Sequence, residues 1–127
     1  MTSIKDVSEI RAYQHALTLY PEVIYLVSLI PESYRKQRDQ LLNSSVAIAP
    51  LVEEGFAKKR NIAEIKRFFE MAMAESDELV NHLRMVKSLA PLCRRVDPSY
   101  CDHLVGGYKQ VSKELNNLIK SWNKYQY

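Results

Sequence analysis

The sequence predicts an all-α fold, an antiparallel up-down-up-down four-helix bundle in a single domain spanning residues 1–127. Three observations carry that prediction. Four stretches place apolar residues at alternating spacings of three and four, turn signals separate the stretches, and none shows the alternation by two that a strand requires. The connections are short, which favours sequential antiparallel neighbours.

The first helix is expected over about 8–29, with Ser8 as its N-cap and Ile30-Pro31 as its end, because a residue before proline is biased away from the helical region. Its stripe reads Ile10, Tyr13, Leu17, Tyr20, Ile24, Val27. Pro21 lies inside it and implies a kink or a division into two helices. The second helix is expected over 33–56, with the stripe Tyr34, Arg38, Leu41, Ser45, Ile48, Val52 and a second kink at Pro50. The third is expected over 61–89. Asn61 and Glu64 stand at capping-box spacing ahead of Ile65, Phe69, Ala72, Ser76, Leu79, Leu83 and Val86, and Ala90-Pro91 follows. The fourth is expected over 97–125, opened by Asp97-Pro98, with the stripe Cys101, Leu104, Tyr108, Val111, Leu115, Leu118, Trp122, Tyr125. Gly106-Gly107 costs this helix roughly 1 kcal/mol per glycine relative to alanine, a cost usually tolerated for a close helix contact.

A second apolar stripe, Ala16, Leu19, Val23, Leu26, Ile30, runs beside the first on helix one. A helix buried on two sides is either enclosed in its own bundle or covered by a neighbouring subunit. The second alternative assigns Leu19, Val23, Leu26 and Ile30 to an oligomer interface.

Hydrophobic residues make up 46% of the chain and charged ones 26%, which excludes a disordered polymer. A formal charge of +3 is too small to establish a nucleic-acid partner by itself, so charge placement decides more than the sum. Cys93 and Cys101 lack the paired short spacings of a zinc site or a disulfide framework. No signal peptide is visible, and the most apolar run, 19–30, falls short of the ~20 residues a membrane span needs. A cytoplasmic protein without cofactor or metal is the expectation.

The segment Ile48-Ala49-Pro50-Leu51-Val52-Glu53-Glu54-Gly55-Phe56, followed by Lys58, resembles the signature of the four-helix-bundle 23S rRNA intervening-sequence proteins. That fold family includes the accessory variability determinant proteins of diversity-generating retroelements. Glu54, Gly55 and Phe56 match the family's Glu-Gly-Phe, and Phe68-Phe69, Ala72 and Glu78-Leu79 match later positions. The family proline falls at Ala49 and is displaced to Pro50, its asparagine is Leu51, and its Gly-Ser pair is Ala74-Glu75. The resemblance implies a homopentameric ring, and for the retroelement members it implies binding to RNA and a reverse transcriptase.

Basic residues collect at the bundle ends. Lys58, Lys59, Arg60, Lys66 and Arg67 share one end with Lys5, Arg11, Lys120 and Lys124, while Arg35, Lys36, Arg38, Lys87, Arg94 and Arg95 gather at the other. Repeated around a ring, such patches favour phosphate backbones by counterion release. The candidate nucleic-acid-binding residues are Lys58, Lys59, Arg60, Lys66, Arg67, Lys120 and Lys124. The plain alternative is solvated helix ends interspersed with Glu53, Glu54, Glu64 and Asp97.

Catalytic signals are weak. Cys101 and His103 are two apart on a helix and do not face each other, and Glu78 with His82 supplies at most half of a metal site. Tyr13, Tyr20, Tyr108 and Tyr125 fall on stripes and read as core, whereas Tyr34, Tyr100 and Tyr127 are the better candidates for base stacking. The sequence thus points to a non-enzymatic oligomeric adaptor for RNA or a nucleic-acid enzyme, with a scaffold for protein partners alone as the rival.

Overall fold

In a computed structural model, which describes residues 4–58 and 60–122, the chain is all-α. Four helices account for it: α1 (Arg11–Ser28), α2 (Arg35–Ala57), α3 (Ile62–Lys87) and α4 (Pro98–Ser121). There is no strand among the described residues, and the arrangement is compatible with a four-helix bundle. Sequence neighbours pack together and α1 closes against α4. The expected helix limits hold to within a few residues, except that the end of the fourth, at 125, lies outside the described residues.

Helix starts follow the local chemistry with two adjustments. Ser8 does not cap α1. It lies in a short 3-10 turn, Val7–Glu9, where Asp6 accepts from the Ser8 N–H at 3.0 Å and Glu9 accepts from the Asp6 N–H at 2.7 Å. At α3 only half of the expected capping box forms. Asn61 accepts from the Glu64 N–H at 3.2 Å, while the Glu64 carboxylate turns to Arg67 at 3.3 Å. Asp97 caps α4 by accepting from the Ser99 N–H at 2.9 Å, with Pro98 in the first turn, as the sequence requires.

Neither proline divides its helix. α1 continues through Pro21 and α2 through Pro50, so the two-helix alternative for the first segment does not apply. Each proline lacks the N–H that would serve the carbonyl four residues back, Leu17 and Val46 respectively.

The stripes of α3 and α4 form the core as expected, with Phe69, Leu79, Leu83, Leu104, Tyr108 and Leu115 fully buried. On α1 the second stripe takes the core, joined by Ile10 and Val27 from the two ends of the first. Leu19, Val23, Leu26 and Ile30, assigned from sequence to a contact between subunits, are 8, 0, 0 and 3% exposed within one chain. They belong to the bundle's own core and cannot form a face for another copy. Leu17 and Ile24 of the first stripe are 50 and 45% exposed instead, and Tyr13 and Tyr20 are half-buried. The reason is steric: Leu19 is received by Gly107 of α4, where a side-chain carbon would lie 2.9 Å from a Leu19 methyl. Gly106 faces open space, so the expectation of a close contact holds for one glycine of the pair.

Candidate nucleic-acid interface

The candidate site is built where α2 ends and α3 begins. Lys58 forms the C-cap of α2, its N–H returning to the Gly55 carbonyl at 3.0 Å, a position where a cation complements the negative end of the helix. The chain then turns, with the Asn61 N–H donating to the Lys58 carbonyl at 2.8 Å. This reversal brings the first two turns of α3 beside the last turn of α2.

Glu54, Gly55 and Phe56 explain how close that approach is. Gly55 is buried, and a side-chain carbon there would lie 3.0 Å from both Phe68 Cβ and Phe69 Cε1. The glycine therefore lets α2 and α3 meet with almost no gap. Phe56 stands edge-on to Trp122 at 6.5 Å, and Trp122 in turn meets Phe69 at 5.3 Å, tying the end of α4 to the same corner. Glu54 is exposed. Within one chain, two of the three signature residues thus have a packing role.

Over this aromatic base two cations converge. Lys58 Nζ lies 5.5 Å and Arg67 Cζ 4.7 Å from the centre of the Phe68 ring, distances at which a ring face attracts positive charge. Arg60 is exposed and has no ion pair among the described residues. Lys66 is half-buried, and Lys120 is exposed in the last turn of α4. A carboxylate interrupts the patch, because Glu64 pairs with Arg67 and lines the same small depression as Lys58, Arg60 and Asn61. Of the seven candidate residues, the structure brings Lys58 and Arg67 together on one ring. Lys59 and Lys124 lie outside the described residues.

The aromatic candidates are largely committed. Tyr100 donates its hydroxyl to the Glu22 carbonyl at 3.1 Å and stands edge-on to Tyr25 at 5.6 Å, and burial raises its pKa. Its ring is part of the α1–α4 seam and not a platform for bases. Tyr34 is half-buried against the core, and Tyr127 lies outside the described residues, as does Tyr125. Tyr13 is only partly a core residue. Its hydroxyl donates to Glu53 at 2.6 Å, and that carboxylate raises the phenol's pKa.

The histidines all face glutamates. His15 Nδ1 is 2.6 Å from Glu114, His103 Nε2 is 2.9 Å from Glu22, and His82 Nε2 is 3.5 Å from Glu78. The first two pairs link α1 to α4 in opposite senses along the seam. Among the described residues no group of three or more His, Cys, Asp or Glu side chains is placed to hold a metal. Cys93 and Cys101 are buried free thiols, and desolvation pushes Cys101 up to about 11.

Sequence reasoning missed two surfaces. One is the α1–α2 groove, lined by Leu17, Tyr20, Val46, Ala49 and Pro50 with Tyr13 and Glu53 at its edge. The other is an open groove at the α3–α4 connection, lined by Arg84, Lys87, Ala90, Pro91, Arg94 and Val96 among others. The only signals were the excess stripe on α1 and the basic residues Lys87 and Arg94 flanking Pro91. No helix among the described residues is long and apolar enough to cross a membrane. No family model, no curated protein and no solved structure matches this chain.

Proposed function

We propose that the chain is a non-enzymatic oligomeric adaptor: an up-down-up-down bundle that joins copies of itself, in a homopentamer on the family resemblance, and holds RNA or a nucleic-acid enzyme such as a reverse transcriptase at its basic corner. The observation that carries this reading is the convergence of Lys58 and Arg67 on Phe68 with Arg60 exposed nearby. Lys58 is held over a buried ring without an ion pair among the described residues, which suits a contact to phosphate that fixes position and reads no sequence, while Arg67 is shared with Glu64. A ring of copies would repeat the corner around its rim and raise the local potential.

The surface that supports self-association is the α1–α2 groove. Leu17 and Val46 are 50 and 49% exposed there, and Ile24, one helical turn beyond Tyr20 of the lining, is 45% exposed. No lysine or arginine lines this groove, and its one carboxylate, Glu53, is engaged by Tyr13. Copies of a chain with formal charge +3 repel one another least across such an apolar face, which carries no cation, so its occupant is a second copy. In support of the non-enzymatic part, Cys101 is buried with its thiol pushed away from the thiolate form.

Fluorescence anisotropy with a labelled single-stranded RNA at several salt concentrations tests the corner. Lys58→Gln, Arg60→Gln and Arg67→Gln together should weaken binding for all sequences alike. They should also flatten the slope of log K against log salt by roughly 2, at about 0.7 per lost single-strand contact. Wild-type binding that is absent at low salt, with a folded and associated protein, would favour the scaffold for protein partners alone.

A further inference from the structure

The connection between α3 and α4 is not a slack linker. Its backbone closes successive turns, with N–H groups of Ala90, Leu92, Cys93 and Val96 donating to the carbonyls of Lys87, Leu89, Leu89 and Cys93 at 3.1, 2.8, 2.9 and 2.9 Å. Cys93 and Val96 are buried and anchor these turns to the core. Because the loop is held this way, it forms a wall. Between that wall and the last turns of α3 lies an open groove of about 740 Å³.

The lining of this groove has one sign of charge. Arg84, Lys87 and Arg94 contribute to it and no Asp or Glu does. Arg84 and Arg94 are exposed and make no ion pair among the described residues. Lys87 is held 2.9 Å from Asp102 on the neighbouring α4, so its charge is partly answered. The remaining surface is aliphatic apart from Ser88: Ala90, Pro91, Val96 and Pro98. Leu92, in the same loop, is 74% exposed. No aromatic side chain lines the groove, so it offers no stacking face for a nucleic-acid base.

We propose that this groove is a docking site for an acidic–aliphatic peptide segment of a protein partner, whose carboxylates meet Arg84 and Arg94 while its aliphatic side chains lie on Pro91 and Val96. Arginine forks donate two parallel hydrogen bonds to a carboxylate, and prolines and valine give that segment apolar cover. A phosphate backbone would satisfy the charges but would leave the aliphatic wall and Leu92 without partners. The site is independent of the corner at the α2–α3 end, so both can be occupied at once.

The test is a titration of the full chain into a fluorescein-labelled peptide, Asp-Leu-Glu-Glu-Leu-Asp-Glu, at 50 mM salt, with a labelled twelve-nucleotide oligouridylate in parallel. Saturable peptide binding is expected. It should weaken by about tenfold in Arg84→Glu/Arg94→Glu, since reversal turns two steering attractions into repulsions. Both side chains are exposed, and circular dichroism is the control for folding of the variant. Lys58→Gln/Arg60→Gln should leave peptide binding unchanged. Absence of saturable peptide binding by the wild type overturns the proposal, and so does equal affinity of a folded Arg84→Glu/Arg94→Glu chain. Oligouridylate binding that the same double variant abolishes, without peptide binding, would overturn it in favour of a second nucleic-acid surface.

Discussion

Leu19 of α1 sits directly over Gly107 of α4, its two methyls where a side chain at that glycine would begin. This contact sets the rotation of α1. With Leu19 turned inward, Val23, Leu26 and Ile30 follow it at helical spacing, and Leu17 and Ile24 are carried to the surface.

The two neighbouring glycines therefore respond oppositely to alanine. Gly106→Ala meets nothing within 4 Å, so it should stabilise the chain by roughly 0.5–1 kcal/mol through helix propensity and reduced freedom of the unfolded chain. Gly107→Ala gains the same propensity but places a carbon 2.9 and 3.0 Å from the Leu19 methyls, displacing a core side chain. Its stability should fall below that of Gly106→Ala by about 1–3 kcal/mol. Urea titrations of both variants check the order, and equal midpoints would remove the proposed role of this contact.

Charge on α1 separates core from association surface. Leu19→Glu buries an unpaired carboxylate and should unfold the chain or destabilise it by more than about 4 kcal/mol. Leu17→Glu and Ile24→Glu place the charge at half-exposed positions, where the fold should lose less than about 1 kcal/mol. If the α1–α2 groove joins copies, Leu17→Glu, whose side chain lines it, should be smaller than the wild type by light scattering while keeping its helical content. Unchanged mass would move the association surface elsewhere.

Why α1 misled the sequence reading has a physical answer. Both of its stripes keep the three-four spacing and are offset by one residue, about 100° around the helix. Periodicity alone cannot rank them, because the choice depends on which partner offers room, and that room is at Gly107, 88 positions further along. α3 carried one unambiguous stripe with a cap at Asn61, and its inner face was legible except for Phe68 and Val80, which are buried at its flanks. The basic corner was legible as composition. Its geometry was not, because the stacking of Lys58 and Arg67 on Phe68 depends on the Asn61 N–H closing on the Lys58 carbonyl and on the fit of Gly55 against α3. The α3–α4 groove was invisible because it is made by loop turns that no periodicity encodes.

The core also carries a polar misfit. The Tyr108 hydroxyl is fully buried and has no hydrogen-bond partner among the described residues, although Ser76 donates to the Tyr108 carbonyl at 2.9 Å and accepts from Ser112 at 2.9 Å. Burial, with Glu22 and Tyr20 adding to it, pushes the phenol's pKa well up, which marks the site as hostile to charge. Tyr108→Phe removes the hydroxyl and keeps the ring, so it should stabilise the fold by about 1 kcal/mol. A thermal melt reads this directly. Destabilisation by a similar amount would mean that the hydroxyl is satisfied in solution.

Cys101 links stability to pH in a defined window. Desolvation is the main cause of its shift, with Asp102 and Asp97 adding to it, and the thiol is raised from 9.0 to about 11 in the folded chain. Below pH 9 the thiol is protonated in both states and its contribution is fully present. Above pH 9 the unfolded chain loses this proton first, so the folded state binds more protons and stability falls until the pH passes about 11. Tyrosines and lysines titrate in the same range, so the expected signal is a difference. The stability advantage of wild type over Cys101→Ala, measured by urea titration, should shrink steadily from pH 9 to 11. The same burial should keep the native thiol silent to a disulfide reagent at pH 8, where labelling would proceed at the rate of opening. An advantage that stays constant across that range, or immediate labelling of Cys101 in a Cys93→Ala background, would show that the thiol is open to water.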